Sequence, residues 1–307
     1  MNRRDLLGVL ATLLPCERLL ASRPARGKLV IVGGAEKRWK DRLILRSFLE
    51  HAGGVSARVR LLVAATSRPA EAAASYIRAF SDLGVKDCEA LPVIDRTGAF
   101  MPEVAKSILE ANAVFITGGD QARLMTALWE TPALTALHRA HYLHGCCIGG
   151  TSAGAAAMSR HMIADGAAVR RPRKGAVETD IGLGLLTSAI VDQHFSERGR
   201  LARLLSALAR RPDLLGVGVD ENTALVIDGE KGIEVVGTGV VTLVDPTYAS
   251  TNIDGLEDEG LLEVLGLRLH TLPSGHKYPV NGSAGDTWPL ELQKAVQRLV
   301  QPGPVRL

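Results

Sequence analysis

The sequence predicts an α/β fold in which a mostly parallel central sheet is flanked by helices and carries antiparallel strands at its edge. Three observations lead to this. Short β-branched runs alternate with amphipathic helical segments through the first half, the spacing of βαβ units. Several of these runs end in glycine-rich turns, where an open parallel sheet gathers its reactive groups. The second half changes to close-spaced strands separated by glycines, a pattern of antiparallel pairing. Composition agrees: 46% of the 307 residues are hydrophobic but only 4% aromatic, so Ala, Leu, Val and Gly must carry the core.

In chain order, residues 28–34 (KLVIVGG) read as a buried strand, and residues 40–52 as a helix with Leu43, Ile44, Phe48 and Leu49 at helical spacing. Residues 58–66 form a second strand. Pro69 opens a helix whose apolar face is Ala73, Tyr76, Ile77 and Phe80. A third strand spans residues 88–94, a helix residues 102–111, and a fourth strand residues 113–119. Helical patterning resumes at Gln121 and continues past Pro132. Residues 189–195 are a strand ending in polar residues, and residues 197–210 a basic helix with Arg198, Arg200, Arg203 and Arg210. Residues 215–219, 224–227, 233–236 and 240–244 are the strands expected at the sheet edge, and residues 288–301 a closing helix. No repeat or linker divides residues 28–307, which read as a single catalytic domain.

Residues 1–27 read as an export leader. Arg3 and Arg4 precede an apolar run from Leu6 to Leu14, resembling a twin-arginine signal, with removal expected near residues 21–25. The run is too short to span a bilayer stably. This predicts a periplasmic or secreted protein, and a cytoplasmic one if the segment is not a signal. A net charge of +3 and few aromatics argue against nucleic acid as a partner. Cys16, Cys88, Cys146 and Cys147 show neither metal spacing nor a disulfide framework, so no metal or cofactor is expected.

The chemistry centres on Gly150-Thr151-Ser152-Ala153-Gly154, which lies between the apolar strand Cys146-Cys147-Ile148 and the helical run starting at Ala155. This is the G-x-S-x-G pattern in the strand-turn-helix context that exposes a nucleophilic serine. A serine nucleophile needs a base, and the base an orienting acid. Of His161, His194, His270 and His276, His194 is best placed, at the end of a strand and just before a helix. Asp192, Asp220 and Glu221 all fall near the same edge, and spacing does not choose among them. An arrangement of Ser152, Asp220 and His270, with the acid before the base, also fits the spacing.

Four blocks point further. Thr117-Gly-Gly-Asp-Gln121, Gly150-Thr-Ser-Ala-Gly-Ala155, Asp192-Gln-His-Phe-Ser-Glu-Arg-Gly-Arg-Leu201 and Gly218-Val-Asp-Glu-Asn-Thr-Ala224 resemble, in order, the motifs of cyanophycinases, serine peptidases related to peptidase E. The resemblance runs from about Lys28 to Asp245, and residues 269–275 are similar to a late family block. It implies a class I glutamine amidotransferase-like (flavodoxin-like) fold and a triad of Ser152, His194 and Glu221. The implied oxyanion donors are the backbone N–H groups of Gly119 and Ala153. The implied substrate is cyanophycin, a poly-aspartate with arginine on each β-carboxyl, cleaved to β-Asp-Arg dipeptides. The implied substrate pocket is Gln121, Asp192, Gln193, Arg198, Arg200 and Arg203. Its arginines would pair with carboxylates and its Asp and Gln residues with guanidinium groups. Arg200 and Arg203 share a helix face at i, i+3 and Arg198 does not, so at least one of the three is expected to be structural. The resemblance also implies a homodimer. An aspartyl or isoaspartyl dipeptidase of the peptidase E type is the competing activity, and a binding protein without turnover is the non-enzymatic alternative. The basic loop Arg170-Arg-Pro-Arg-Lys174 has no assigned role.

Overall fold

The computed structural model describes residues 26–257, 259–281 and 288–301. The expected leader lies outside the described residues apart from its last two. Gly27 is buried, and Arg26 donates to His141 Nε2 and to the Leu185 carbonyl, each at 3.0 Å.

Through the first half the chain alternates as its hydrophobic periodicity requires. Strands β1 (Leu29–Val32), β2 (Arg58–Leu62), β3 (Asp87–Ala90), β4 (Ala113–Ile116) and β5 (Cys147–Thr151) are separated by helices. These are α1 (Leu43–His51), α2 (Pro69–Ser81), α3 (Arg96–Ala99), α4 (Pro102–Glu110), α5 (Gln121–Leu128) and α6 (Pro132–Leu143). After β5 come α7 (Ala153–Ala157), the pair β6 (His161–Asp165) and β7 (Glu178–Ile181), then β8 (Ala189–Gln193) and α8 (Leu201–Arg210). The rest is largely strand: β9 (Leu215–Val219), β10 (Thr223–Asp228), β11 (Gly232–Gly237), β12 (Val240–Asp245), β13 (Ser250–Thr251), β14 (Val264–Leu265), β15 (Arg268–Pro273) and β16 (Lys277–Pro279), closed by α9 (Leu290–Val300).

The central sheet has the order β16-β11-β10-β1-β5-β4-β2-β3. The pairs from β1 to β3 are parallel, and β10, β11 and β16 add antiparallel strands at one side. Successive residues of β1 feed opposite faces, as the strand period of two demands. Val30 and Val32 join a cluster with Phe48, Tyr76, Phe80 and Phe115, while Leu29 and Ile31 join the larger core beneath α4, α5 and α6. Three of the five phenylalanines lie in the first cluster, where the Tyr76 ring sits 5.0 Å from Phe115 and Phe48 sits 5.3 Å from Phe115. This packing seats α2 beside the carboxyl ends of β1 and β4.

Two expectations change. The strands expected at one sheet edge are divided between two sheets, because β8, β9, β12 and β15 form a second sheet in the order β15-β12-β9-β8. Within it β8 and β9 are parallel, whereas β12 runs antiparallel to both β9 and β15. The helical run past Gln121 is two helices. Thr131 accepts from Leu134 N at 3.3 Å as the cap of α6, and Pro132 lacks the N–H and has the fixed φ that suit a first turn.

Cys146 and Cys147 are buried, and burial pushes the Cys146 thiol up to about 12, so it stays protonated. Among the described residues, no helix is long and apolar enough to cross a membrane.

Candidate active site

The site forms where the chain passes between the two sheets. Ser152 follows β5 of the central sheet, His194 follows β8 of the second sheet, and Glu221 lies on the link from β9 to β10 that crosses from one to the other. The turn after β1 ties them together. Gly33 N donates to the Thr223 carbonyl at 2.9 Å, the Gly33 carbonyl accepts from His194 N at 2.8 Å, and the Gly34 carbonyl accepts from Asn222 N at 2.8 Å.

Ser152 has φ 51 and ψ −113, a conformation disfavoured for a residue with a side chain. Its backbone is held by Ser152 N donating to the Val32 carbonyl at 3.0 Å. The flanking glycines of the motif close on each other: a Cβ on Gly150 would lie 2.6 Å from the Gly154 carbonyl oxygen. Ala35, His194 and Asn222 also have positive φ, at 50, 49 and 47, so four of the seven non-glycine residues of positive φ among the described residues belong to this site. Gly34 is required beside them, since a Cβ there would lie 2.3 Å from His194 Cε1.

The side chains form a chain of hydrogen bonds. Ser152 Oγ lies 2.8 Å from His194 Nε2, and His194 Nδ1 lies 2.6 Å from Glu221 Oε1. With Nδ1 protonated toward the carboxylate, Nε2 is left free to accept the serine proton, the polarity that base-assisted attack needs. The other candidate acids are otherwise engaged. Asp220 accepts from the N–H groups of Ser196 and Val240, each at 3.1 Å. Asp192 is 0% exposed and is bound by two arginines. His270 pairs with Leu243 across β12 and β15, His161 opens β6, and His276 lies between β15 and β16.

Burial is the main cause that holds His194 below its ordinary value, and the Arg198 and Arg200 charges add to it. The Glu221 hydrogen bond acts in the opposite direction. The imidazole is therefore neutral at pH 7, ready to act as a base. The acid limb of kcat/KM is expected to fall off below the usual histidine range. Arg198→Ala removes a cation that disfavours the imidazolium, so the limb should move to higher pH. A pH–rate profile showing no movement would exclude this coupling.

The residues assigned to the substrate pocket are placed unequally. Arg198 precedes α8, not within it, and its side chain is exposed and unpaired among the described residues. Arg200 immediately precedes α8, where its Nη1 donates to Asp192 Oδ1 at 3.3 Å and also to the Gln193 carbonyl. Arg203 donates from Nε to Asp192 Oδ2 at 3.0 Å, from Nη2 to Asp192 Oδ1, and from Nη1 to the Gly166 carbonyl. Gln193 is buried. Gln121 donates its amide to the Ile163 and Ala164 carbonyls at 3.0 and 2.6 Å, leaving its side-chain oxygen open. Thus Asp192, Arg200 and Arg203 form a buried ionic cluster behind His194, while Arg198 and Gln121 remain available to a ligand. Gly118 faces Ser152, because a Cβ there would lie 3.2 Å from Ser152 Cβ, and Gly119 follows it in the same turn. Ala153 opens α7 directly after the serine. In the loop 170–174, Arg173 pairs with Glu259 and Lys174 donates to the Leu256 carbonyl at 2.6 Å, while Arg170 and Arg171 are exposed.

Residues 29–235 match peptidase family S51. The chain belongs to that family. It is 39% identical over 254 residues to the cyanophycinase of Geminocystis herdmanii, covering 82% of this chain and 93% of the relative. Identity is also 39% over 251 residues to the cyanophycinase of Trichormus variabilis, covering 81% and 84% respectively. A peptidase from an acI-B1 Actinobacterium superposes with a TM-score of 0.62 at 22% identity, covering 84% of this chain and 98% of the other. That likeness shows the fold alone, an α/β architecture with a mostly parallel central sheet flanked by helices.

In this S51 peptidase the sequence reading missed one group of residues. Glu36, Arg38, Tyr76 and Thr151 line a cleft beside Ser152 and His194. Glu36 and Arg38 follow the Gly33-Gly34 turn directly. The rule that marked that turn as a strand end at the active edge extends to the polar residues just beyond it.

Proposed function

We propose that this S51 peptidase is a cyanophycinase, hydrolysing the poly-aspartate backbone to β-Asp-Arg dipeptides through an acyl-enzyme on Ser152. The observation that carries the chemistry is the unbroken line Ser152 Oγ, His194 Nε2, His194 Nδ1 and Glu221 Oε1, with contacts of 2.8 and 2.6 Å. Ser152 Oγ attacks the scissile carbonyl while its proton passes to His194 Nε2. Glu221 holds the ring in the correct tautomer and stabilises the imidazolium. The N–H groups of Ala153 and Gly119 face the developing oxyanion. Breakdown cleaves the C–N bond as His194 returns the proton to the leaving nitrogen. Water, activated by the same imidazole, then hydrolyses the ester.

The substrate assignment rests on the cyanophycinase relatives, which cover most of this chain. Arg198 and the open oxygen of Gln121 offer complementary groups for a substrate bearing carboxylates and guanidinium groups. The test is incubation of purified protein with cyanophycin and with short aspartyl and isoaspartyl dipeptides. Release of β-Asp-Arg, with kcat/KM on polymer at least about tenfold above that on the dipeptides, is expected. Cleavage of the dipeptides alone would replace this reading with the peptidase E type. Export through the Arg3-Arg4 leader and assembly as a homodimer belong to the same proposal. The leader motif supports the first and the family resemblance the second.

A further inference from the structure

A cleft of about 270 Å³ opens beside Ser152, lined in part by Ala72 and Tyr76 of α2 and not by Arg198 or Gln121. Ser152, His194 and Gly118 line it together with Glu36, Arg38 and Tyr76. Tyr76 donates its hydroxyl to Glu36 Oε1, and Glu36 is only 5% exposed. Burial and the Glu36 charge push the phenol well above its usual range, so it remains a donor. Glu36 Oε2 accepts from Thr151 Oγ1 at 2.5 Å, which fixes the pair to the residue preceding the nucleophile. Over the held ring lies the Arg38 guanidinium, 5.0 Å from the centroid.

Arg38 differs from the other arginines near the site. Arg200 and Arg203 are engaged by Asp192. Arg38 is half-buried and ion-paired to nothing among the described residues, and its Nε is buried without a hydrogen-bond partner. A stacked guanidinium keeps its hydrogen-bonding edge free, in the fork geometry that matches a carboxylate. The carboxylate would meet the terminal nitrogens, because the buried Nε is closed to a ligand.

The position of His194 says which part of a substrate enters. The imidazole that lines this cleft delivers its proton to the leaving nitrogen, so the leaving group lies on its side. We propose that this cleft is the leaving-group subsite and that Arg38 is a specificity-determining residue that binds a carboxylate of that group. The inference rests on the peptidase reading above. In a β-Asp-Arg leaving unit two carboxylates qualify, the main-chain terminus and the arginine carboxylate.

Three two-unit β-Asp-Arg substrates separate them: the free acid, the form amidated at the main-chain terminus, and the form amidated on the arginine of the leaving unit. With wild-type protein, one amidation should lower kcat/KM by about 10- to 100-fold, mainly through KM, and identify the bound carboxylate. Arg38→Met, which keeps a long apolar stem over Tyr76, should remove most of that preference, and Arg38→Lys should restore part of it. Covalent labelling of Ser152 by a fluorophosphonate reports whether each variant keeps its site. If neither amidation affects the wild-type enzyme, or if a labelling-competent Arg38→Met keeps the full preference, the proposal is overturned. Failure of wild-type protein to cleave any of the three would instead refute the peptidase reading on which it rests.

Discussion

Ser152→Ala is expected to lower kcat on cyanophycin by about 10⁴- to 10⁶-fold, with KM changed far less. The size follows from the geometry. The hydroxyl is hydrogen-bonded to His194 at 2.8 Å on a residue held at φ 51. The hydroxyl of Thr151, its neighbour, is committed to Glu36. Glu221→Gln should lose about 10³- to 10⁴-fold, because the amide cannot enforce the Nδ1–H tautomer or stabilise the imidazolium. Asp220→Asn should not reproduce that loss in kcat at a temperature where the variant is folded, since Asp220 holds the N–H groups of Ser196 and Val240 and not the imidazole. Steady-state kinetics on the three variants decide the matter. Near-normal turnover in Ser152→Ala or Glu221→Gln would remove those residues from the chemistry.

In the hydrogen-bonded line of Ser152, His194 and Glu221, the serine and histidine are more legible in the sequence than the acid. Ser152 sits in a local motif, strand then turn then helix, whose meaning is contained in a dozen residues. His194 also ends a strand, so position alone recommended it. The acid depended on where three carboxylates point, and neighbours remote in sequence decide that. Arg203 draws Asp192 inward, two backbone N–H groups hold Asp220, and Glu221 is left to meet Nδ1. The division into two sheets was hidden for a similar reason. Strands β9 and β10 are separated by only three residues yet pair in different sheets, and nothing in their apolar alternation records the partner. The break before α6 was legible in principle, because Thr131-Pro132 is a cap followed by a first-turn proline. The apolar periodicity on both sides masked it. Arg38 is illegible in the sequence because one arginine in the polar stretch after β1 carries no signal until Tyr76, from α2, is placed beneath it.

The second large effect is on stability. Asp192→Ala is expected to destabilise the protein by about 3–5 kcal/mol, because it leaves two buried guanidinium groups without their shared carboxylate. Arg203 would retain only the Gly166 carbonyl, and Arg200 only the Gln193 carbonyl. Both cations would then lie uncompensated behind His194, where the Arg200 charge already disfavours the imidazolium. Loss of activity should therefore accompany loss of stability, not replace it. Asp192→Asn keeps the shape but not the charge and should be destabilised in the same direction. Denaturant unfolding measures the effect directly, with the midpoint moving and the slope unchanged. The alternative role implied by the family resemblance, in which Asp192 receives a substrate guanidinium, makes the opposite forecast: a raised KM in a protein of normal stability. The full burial of the carboxylate and its two arginine partners favour the first outcome. In that case Asp192 acts as a positioning residue, holding Arg200 against the Gln193 carbonyl and so fixing the backbone immediately before His194.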